Sequence, residues 1–265
     1  MTTIDLNCDM GESFGAWHMG ADADVMPWIS SANIACGFHA GDFATMQRTV
    51  ILAAQHGVAI GAHVALPDLQ GFGRREMRIT PVETHALVLY QLGALEAFVR
   101  AQRLRLHHVK PHGALYNMAA KDAKLAEAIA DAVRDFDAGL ILVGLAGSEL
   151  VRAGAHAGLV VANEAFVDRR YLADGSLMPR SEAGAVIDDV EVAVAQALEI
   201  ALHGKIGSLD EAGASRSHAL RADSICVHGD RADAAVFARR LREALRANGV
   251  RVAAPAQRAA SKDSG

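Results

Sequence analysis

The sequence predicts a single-domain α/β protein whose strands form a closed or nearly closed barrel. Short runs rich in β-branched and apolar residues alternate with longer segments of helical periodicity, which is the pattern of βα units and a parallel sheet. Most of these runs are too apolar to have a solvated face, as expected for strands covered on both sides. A chain of 265 residues, 51% of them hydrophobic, also has the size of one α/β barrel.

Seven runs qualify as strands. In order they are TIDLN (3–7), ANIAC (32–36), VAIGAH (58–63), LHHVK (106–110), LILVGL (140–145), LVVANE (159–164) and SICVHG (224–229). We expect them to belong to one β/α-barrel domain over residues 1–250. The last residues are small and polar, so residues 251–265 are expected to be a flexible C-terminal tail.

The intervening segments carry helix signals. TPVE places Thr80 as N-cap, Pro81 in the first turn and Glu83 as the capping-box partner, so a long helix is expected to run to about Gln102. The segments after Asp42, over 122–136 and over 231–249 show the same helical periodicity.

Two stretches interrupt the alternation. Residues 165–187 are polar, contain glycine and are long for a connection from strand to helix, so we expect an active-site cover or a small excursion. Residues 204–222 are expected to hold a minor hairpin.

Composition limits the partners. The net charge is -5 and no basic run marks a nucleic-acid or lipid surface, so small or neutral ligands are expected. Cys8, Cys36 and Cys226 are odd in number and form no C-x-x-C pair, which argues against a disulfide framework and fits a reducing compartment. The N-terminus lacks a signal-peptide pattern and no apolar run approaches the roughly 18 residues of a membrane span, so a cytoplasmic location is expected.

Potentially reactive side chains follow six of the seven predicted strands, where the active sites of barrel enzymes lie. They are Asn7, Asp9 and Glu12; His39 and Asp42; His63 and Asp68; Lys110, His112, Tyr116 and Asn117; Glu164, Asp168 and Arg169; and His228 and Asp230. His39, His63, His112 and His228 fall at the same end of four different strands, among 12 histidines in the chain. We therefore expect one shared pocket.

Structural roles compete with these functional ones. A lone histidine beside a buried strand is more often a hydrogen-bonded structural residue, and an aspartate after a strand is often the N-cap of the next helix. For Asp42, capping is as plausible as catalysis, and Asp230 could be a cap as well. His107 and His108 are adjacent in the fourth strand and point to opposite faces, so a structural and a functional role both stay open for them.

The collection of residues favours a hydrolase. Carboxylates, imidazoles, a lysine and arginines in one pocket suit general acid–base chemistry on a polar substrate, with the cations holding an anion or stabilising an oxyanion. Asp9, His39 and His63 are candidate ligands for a divalent metal, but their spacing is not the local H-E-x-x-H kind, so no metal is firmly predicted. Neither G-x-x-x-x-G-K-[ST] nor G-x-G-x-x-G opening a helix after a strand occurs.

Several long and unusual motifs resemble the LamB/YcsF family. They are DLNCDMGESFG, ANIACGFHAGD, GFGRR, HVKPHGALYN, DRRY, MPR and CVHGD, which follow one another over nearly the whole chain. The resemblance implies a seven-stranded β/α barrel similar to the glycoside hydrolase/deacetylase superfamily. It also implies the reaction of an ATP-dependent 5-oxoprolinase. In that reaction the A subunit, together with subunits B and C, opens the lactam of 5-oxo-L-proline to L-glutamate, coupled to hydrolysis of ATP to ADP and phosphate.

Carried over to this sequence, the resemblance implies a set of roles. The acid–base set is expected to be Asp9, His39, His63 and His112, and the anion-holding residues are expected to be Lys110, Arg74 and Arg169. Further residues expected to bind substrate or ATP are Asn7, Glu12, Asn117, Glu164, Asp168, His228 and Asp230. ATP is expected as co-substrate together with Mg²⁺. The family commonly reads GAHPGYPD where this chain has GAHVALPD, a change expected to affect substrate contacts or loop shape more than the chemistry.

Two alternatives remain beside this function. The chain could be a stand-alone, metal-dependent deacetylase or amidohydrolase like others of the wider superfamily. It could also be a non-catalytic scaffold that completes the site of a partner.

Overall fold

The structure is a computed structural model that describes residues 1–179, 182–209, 215–229 and 233–257. The strands in these ranges are β1 (Thr3–Met10), β2 (Ser31–Ala35), β3 (Ala59–Val64), β4 (His108–Pro111), β5 (Ile141–Leu145), β6 (Val160–Phe166), β7 (Tyr171–Leu172), β8 (Lys205–Leu209), β9 (Ser215–Ala219), β10 (Ser224–Val227) and β11 (Arg251–Val252). The α-helices are α1 (Asp22–Val25), α2 (Phe43–His56), α3 (Pro81–Ala101), α4 (Gly113–Ala119), α5 (Ala123–Phe136), α6 (Glu149–His156), α7 (Val190–Leu198) and α8 (Ala234–Ala247).

Seven of the described strands close into a parallel barrel. Their order is β1-β2-β3-β4-β5-β6-β10, and β10 pairs back with β1. Asn7 lies at the closure, since it pairs with Ser31 of β2 on one side and with Cys226 of β10 on the other. The predicted fold class is confirmed, although β1 continues to Met10, beyond its expected end at residue 7.

The main apolar core lies between the barrel and its helices. Alternate residues of β1, such as Leu6 and Cys8, belong to this core and are fully buried. The alternating residues Asp5 and Asn7 make hydrogen bonds to other barrel strands, so they point into the barrel. The sheet is therefore covered on both sides, with a largely apolar outer face and a polar column inside it.

Helix boundaries follow the predicted capping signals. Thr80 and Glu83 form a complete capping box at the start of α3, with Pro81 in the first turn. Asp42 caps α2, because its Oδ1 accepts a hydrogen bond from the Thr45 N–H at 2.7 Å and its Oδ2 accepts one from the Gly15 N–H at 2.6 Å. Among the described residues, no helix is both long and apolar enough to cross a membrane.

The two interruptions of the βα pattern form a small second sheet. Strands β8 and β9 pair antiparallel, which confirms the predicted hairpin, and β7 pairs parallel to β8. Strand β7 lies in the predicted excursion 165–187.

The start of the predicted C-terminal tail is bound to the barrel. Strand β11 pairs parallel with the first residues of β1. Farther along, the carbonyl oxygen of Pro255 lies 3.0 Å from the His107 ring, and the amide of Gln257 donates to the His107 carbonyl at 3.0 Å. Residues 251, 252, 255 and 257 of the expected flexible tail therefore have partners on the barrel. Residues 258–265 lie outside the described ranges.

Candidate active site

A pocket of about 630 Å³ opens at the carboxyl ends of the barrel strands. Its lining includes Asp9, Glu12, His63, Lys110 and His112 from strand ends, and Arg74, Tyr116, Asn117, Arg169 and His228 from the segments that follow. Residues 176–179 of the excursion also line it, as a cover would. Of the four histidines expected to share one pocket, His63, His112 and His228 line it, whereas His39 is fully buried.

Lys110 is the central cation of the pocket floor. Its Nζ lies 2.8 Å from Glu164 Oε1, 3.0 Å from Asp9 Oδ1 and 3.2 Å from Asn7 Oδ1. Burial alone would lower the pKa of Lys110, but attraction to Asp9 and Glu164 outweighs it and raises the pKa well above its ordinary value. The lysine therefore stays charged, in a buried cluster that holds two carboxylates.

Glu164 lies beneath the pocket and does not line it. Its Oε1 accepts hydrogen bonds from Lys110 and, at 2.9 Å, from the Asn7 amide, and its Oε2 accepts one from the Tyr116 hydroxyl at 2.7 Å. Asn7 is likewise buried below the pocket and also donates to Ser224 at 2.7 Å. The sequence predicts that both residues bind substrate or ATP, whereas their contacts are with the groups that form the floor.

The polar column continues down the inside of the barrel. Asn33 donates to both Asn7 and Asp9, and the His108 ring lies 2.8 Å from the Asn33 oxygen. At the base, the Asp5 carboxylate accepts hydrogen bonds from Ser30, Ser31 and Ser224. Burial raises the pKa of Asp5 to about 6, in spite of these three hydroxyl donors.

Three imidazoles and a carboxylate meet at one side of the pocket. The His63 Nε2 and His112 Nδ1 atoms are 2.9 Å apart, and the His39 ring stacks on the His112 ring with their centroids 3.8 Å apart. Glu12 Oε1 lies 3.3 Å from His39 Nε2 and 3.9 Å from His112 Nδ1. We call Glu12, His39, His63 and His112 the imidazole cluster.

Electrostatics favour neutral rings at His39 and His112 and an ionised carboxylate at Asp9. Burial, followed by repulsion from the neighbouring rings, lowers the pKa of His39 and of His112 well below the ordinary value. Burial alone would raise the pKa of Asp9, but attraction to His63 and Lys110 outweighs it and keeps the pKa well below the ordinary value. Asp9 Oδ2 lies 3.3 Å from His63 Nε2, so it borders the cluster.

Gly73, in the GFGRR motif, makes room for the imidazole cluster. Its backbone has a φ of +63°, and a Cβ atom there would lie 2.8 Å from His39 Cβ and 2.9 Å from His112 Cδ2. Its carbonyl accepts the Ala114 N–H at 2.8 Å, which fixes the loop against the start of α4. Only glycine combines this positive φ with so close an approach to two rings.

His228 and Asp168 form a second pair at the pocket. The His228 Nδ1 and Asp168 Oδ2 atoms are 2.5 Å apart, and the Phe166 ring stacks on the imidazole with centroids 5.7 Å apart. Asp168 is buried, while His228 borders the pocket. Since Nδ1 is held by the carboxylate, the ring orientation is fixed and Nε2 is the nitrogen left for chemistry.

Two arginines bring positive charge to the pocket. The Arg74 guanidinium lies over the Phe72 ring, 4.9 Å from its centroid, and is solvent-exposed at the rim. Arg169 is 7% exposed and donates from Nη2 to the Met178 carbonyl at 2.5 Å, which ties the excursion to the pocket wall. A planar guanidinium in this setting suits a carboxylate or a phosphate.

The structure therefore brings together most of the predicted site residues. Asp42 is a helix cap, and Asp68 holds its own loop by accepting hydrogen bonds from the Arg75 side chain and the Gly71 N–H. Asp230 lies outside the described residues. His108 belongs to the polar column. Its inward direction could have been predicted from its position two residues before Lys110, since residues i and i+2 of a strand share a face.

These observations define a class: a seven-stranded parallel β/α barrel with a hydrolase-like polar site at the carboxyl ends of its strands. The profile of the LamB/YcsF family matches residues 4–260, and the chain belongs to this family.

Similar proteins cover nearly the whole chain. The 5-oxoprolinase A subunit of Bordetella parapertussis is 57% identical over 95% of this chain and 98% of its own length. The 5-oxoprolinase A subunit of Bacillus subtilis is 54% identical over 96% of this chain and 97% of its own length. The crystal structure of a lactam utilization protein from Thermus thermophilus superposes with a TM-score of 0.90 at 50% identity, over 96% of this chain and 100% of that one.

Proposed function

We propose that the chain is the A subunit of a 5-oxoprolinase and takes part in opening 5-oxo-L-proline to L-glutamate, coupled to hydrolysis of ATP to ADP and phosphate. The observation that carries this proposal is identity above 50%, over nearly the full length of both chains, to proteins named as the A subunit of 5-oxoprolinase. Subunits B and C are the proposed partners, because the name of these relatives implies further subunits. Three unpaired cysteines suit a reducing compartment, so the proposed location is the cytoplasm.

The chemistry explains why ATP is needed. An amide carbon is a poor electrophile because the nitrogen lone pair is delocalised onto the oxygen. Transfer of a phosphoryl group to the lactam oxygen removes this protection, so that water can attack the ring carbon and the C–N bond can break. The ring nitrogen takes up a proton as it leaves, and phosphate is released by a second water molecule.

The anion-binding groups suit such a substrate. 5-Oxoproline carries one carboxylate, and ATP, entering with Mg²⁺, carries further negative charge. Arg169 offers buried positive charge in the pocket and Arg74 offers exposed charge at its rim, whereas the Lys110 ammonium already contacts Asp9, Asn7 and Glu164. We assign the carboxylate or phosphate oxygens to the two arginines, with Asn117 as a neutral hydrogen-bonding group at the rim.

We assign activation of water to the His228–Asp168 pair. A base must be oriented, and Asp168 fixes the His228 ring through Nδ1. Asp9 is a weaker candidate, because His63 and Lys110 hold its pKa well below the ordinary value and a weakly basic carboxylate takes up a proton poorly. The rings of His39, His63 and His112 face one another, so the proposal does not use them for proton transfer.

Reconstitution tests the proposal. The purified full chain is mixed with its B and C partners, and glutamate formed from 5-oxoproline is measured with and without ATP. Substantial turnover is expected only with all subunits and ATP present. Amide hydrolysis by the chain alone, without ATP, would instead support a stand-alone amidohydrolase. Full turnover by a complex whose A subunit carries both His228→Ala and Asp168→Ala would support a non-catalytic scaffold.

A further inference from the structure

The donor atoms of the imidazole cluster lie close together beside the pocket. One nitrogen or oxygen from each of Glu12, His39, His63 and His112 lies within 4.8 Å of all the others, and all four side chains are buried. We propose that this cluster binds a divalent transition-metal ion such as Zn²⁺. The proposal goes beyond the reaction proposed above and does not depend on the identity of the substrate.

The hydrogen bonds of His63 and His112 leave two lone pairs facing each other. His63 Nδ1 is 3.0 Å from the Lys110 carbonyl oxygen, and His112 Nε2 is 2.8 Å from the Phe72 carbonyl oxygen. A carbonyl oxygen only accepts, so both of these nitrogens carry hydrogen. In the neutral rings the other two nitrogens, His63 Nε2 and His112 Nδ1, then lack hydrogen, yet they lie 2.9 Å apart.

Two lone pairs at that distance repel each other unless a cation lies near both. Either a proton or a metal ion can fill this role. Asp9 Oδ2 and Glu12 Oε1 lie 3.3 Å and 3.9 Å from the two nitrogens, so negative charge on two sides favours a cation here. A divalent ion compensates two carboxylates, whereas a single proton compensates one.

His39 supplies a second, independent observation. Its side chain is 0% exposed, and its Nδ1 has no hydrogen-bond partner among the described residues. Its Nε2 faces Glu12 Oε1 at 3.3 Å, and its ring lies flat on His112. Complete burial of a ring with so few polar contacts is costly, and a bond from this ring to a metal ion would offset that cost.

The donor set selects the class of ion. Three imidazole nitrogens and one carboxylate oxygen suit zinc and its transition-metal neighbours, whereas Mg²⁺ and Ca²⁺ prefer oxygen ligands. Ligands held about 2.0–2.2 Å from a tetrahedral zinc ion are about 3.4 Å apart. The neighbouring donor distances of 2.9, 3.3 and 3.9 Å lie on both sides of that value.

The surroundings also fit a metal centre that small molecules can reach. The Lys110 and Phe72 carbonyls accept hydrogen bonds from the far nitrogens of His63 and His112, which is the usual way in which metal-binding imidazoles are oriented. Three cluster members, Glu12, His63 and His112, line the pocket. A water molecule or a substrate oxygen could therefore reach the ion from that side.

Metal titration of the full chain is the test. The protein is freed of metal with a chelator and titrated with Zn²⁺ by calorimetry, and with Co²⁺ by following its visible d–d absorption. Saturation at about one equivalent is expected for wild type. We expect Glu12→Gln and His112→Gln to weaken binding by at least about tenfold, by comparison with the cost of disturbing metal-site residues. The matched control His56→Gln removes an exposed imidazole and should bind like wild type.

Three results would overturn the proposal: no saturable binding of either ion, equal binding by wild type and both cluster variants, or a proton found by NMR between His63 and His112 that Zn²⁺ does not displace. Circular dichroism without metal verifies the fold of each variant. If His112→Gln does not fold, the nearly isosteric Glu12→Gln carries the comparison. Because no ATP or 5-oxoproline is present, failure here leaves the proposed function standing, and a failed reconstitution leaves this test valid.

Discussion

Lys110 Nζ and Glu164 Oε1 lie 2.8 Å apart, with 3% and 0% of their side chains exposed. The pair joins β4 to β6 inside the barrel, directly under the pocket. Asp9 of β1 contacts the same ammonium at 3.0 Å, so three strands converge on one buried cation. The pocket floor is therefore held by charges that cannot be separated without leaving a buried charge uncompensated.

Removing the cation should be strongly destabilising. Lys110→Met leaves the Asp9 and Glu164 carboxylates buried without their partner, and breaking such a buried pair costs about 3–5 kcal/mol of unfolding free energy. Urea unfolding measures this, with the exposed Lys124→Met as control. Glu164→Gln should also destabilise, and the double variant should lose less than the two single losses added together. A loss below about 1 kcal/mol for Lys110→Met would contradict the assigned role of the pair.

The His228–Asp168 pair should matter for turnover more than for folding. In the reconstituted complex, His228→Gln is expected to lower kcat by about 10²–10⁴-fold, the range typical of losing a general base. Asp168→Asn should lower kcat as well, because the ring loses the carboxylate that orients it. The double variant should be no slower than the slower single variant, since the two residues act as one unit.

The matched control for this pair is His203→Gln, which removes an imidazole that is 57% exposed. Its kcat should equal that of wild type. Unfolding curves in urea separate loss of chemistry from loss of fold. An unchanged kcat in His228→Gln would remove this pair from the mechanism.

Asp5 should make the protein less stable as the pH rises. Burial raises its pKa in the folded state to about 6, from 3.8. Between those values the unfolded chain has released the proton while the folded chain still holds it, so the free energy of unfolding falls with rising pH and levels off above about 6. The predicted fall is about 3 kcal/mol, at 1.36 kcal/mol per pKa unit.

Urea unfolding at several pH values from about 4 to 7 tests this prediction. Asp5→Asn should flatten the fall, so that its stability relative to wild type increases with pH. Asp24→Asn, which alters an exposed carboxylate in α1, controls for the change in net charge. A constant difference between Asp5→Asn and wild type across this range would refute the raised pKa.

Much of the fold was accessible from the sequence because the signals are local. A strand such as TIDLN is recognisable from its own residues, and the capping box of Thr80 and Glu83 spans only four positions. The strand-end rule also located His63 and His112 at the mouth of the barrel. These predictions need no knowledge of which strands are neighbours.

The missed features depend on tertiary register. His63 pairs with Lys110 across β3 and β4, and only this register brings the His63 Nε2 to the His112 Nδ1. Asp168 and His228 are 60 residues apart and meet because β6 pairs with β10. Periodicity can indicate that a side chain faces inward, but not which atom of another strand it meets.

Space inside the barrel gives the last prediction. Gly61 of β3 faces the His108 ring, and a Cβ atom at this glycine would lie 2.1 Å from His108 Nε2. The ring cannot withdraw without losing its contact with Asn33, which donates in turn to Asn7 and Asp9. Gly61→Ala should therefore lower the free energy of unfolding by about 1–3 kcal/mol or more, as overpacking of a core does. It should also lower turnover in the reconstituted complex, because the polar column supports the pocket floor.

A matched glycine separates crowding from the substitution itself. Gly93 lies within α3, and no neighbouring atom would lie within 4 Å of a Cβ there. Gly93→Ala should raise the free energy of unfolding by about 0.5–1 kcal/mol, since alanine favours helix. In the double variant Gly61→Ala/His108→Ala the clash is relieved. Its loss of unfolding free energy should therefore be smaller than the sum of the two single-variant losses. If Gly61→Ala unfolds at the wild-type urea midpoint, the His108 ring does not fill the space beside this glycine.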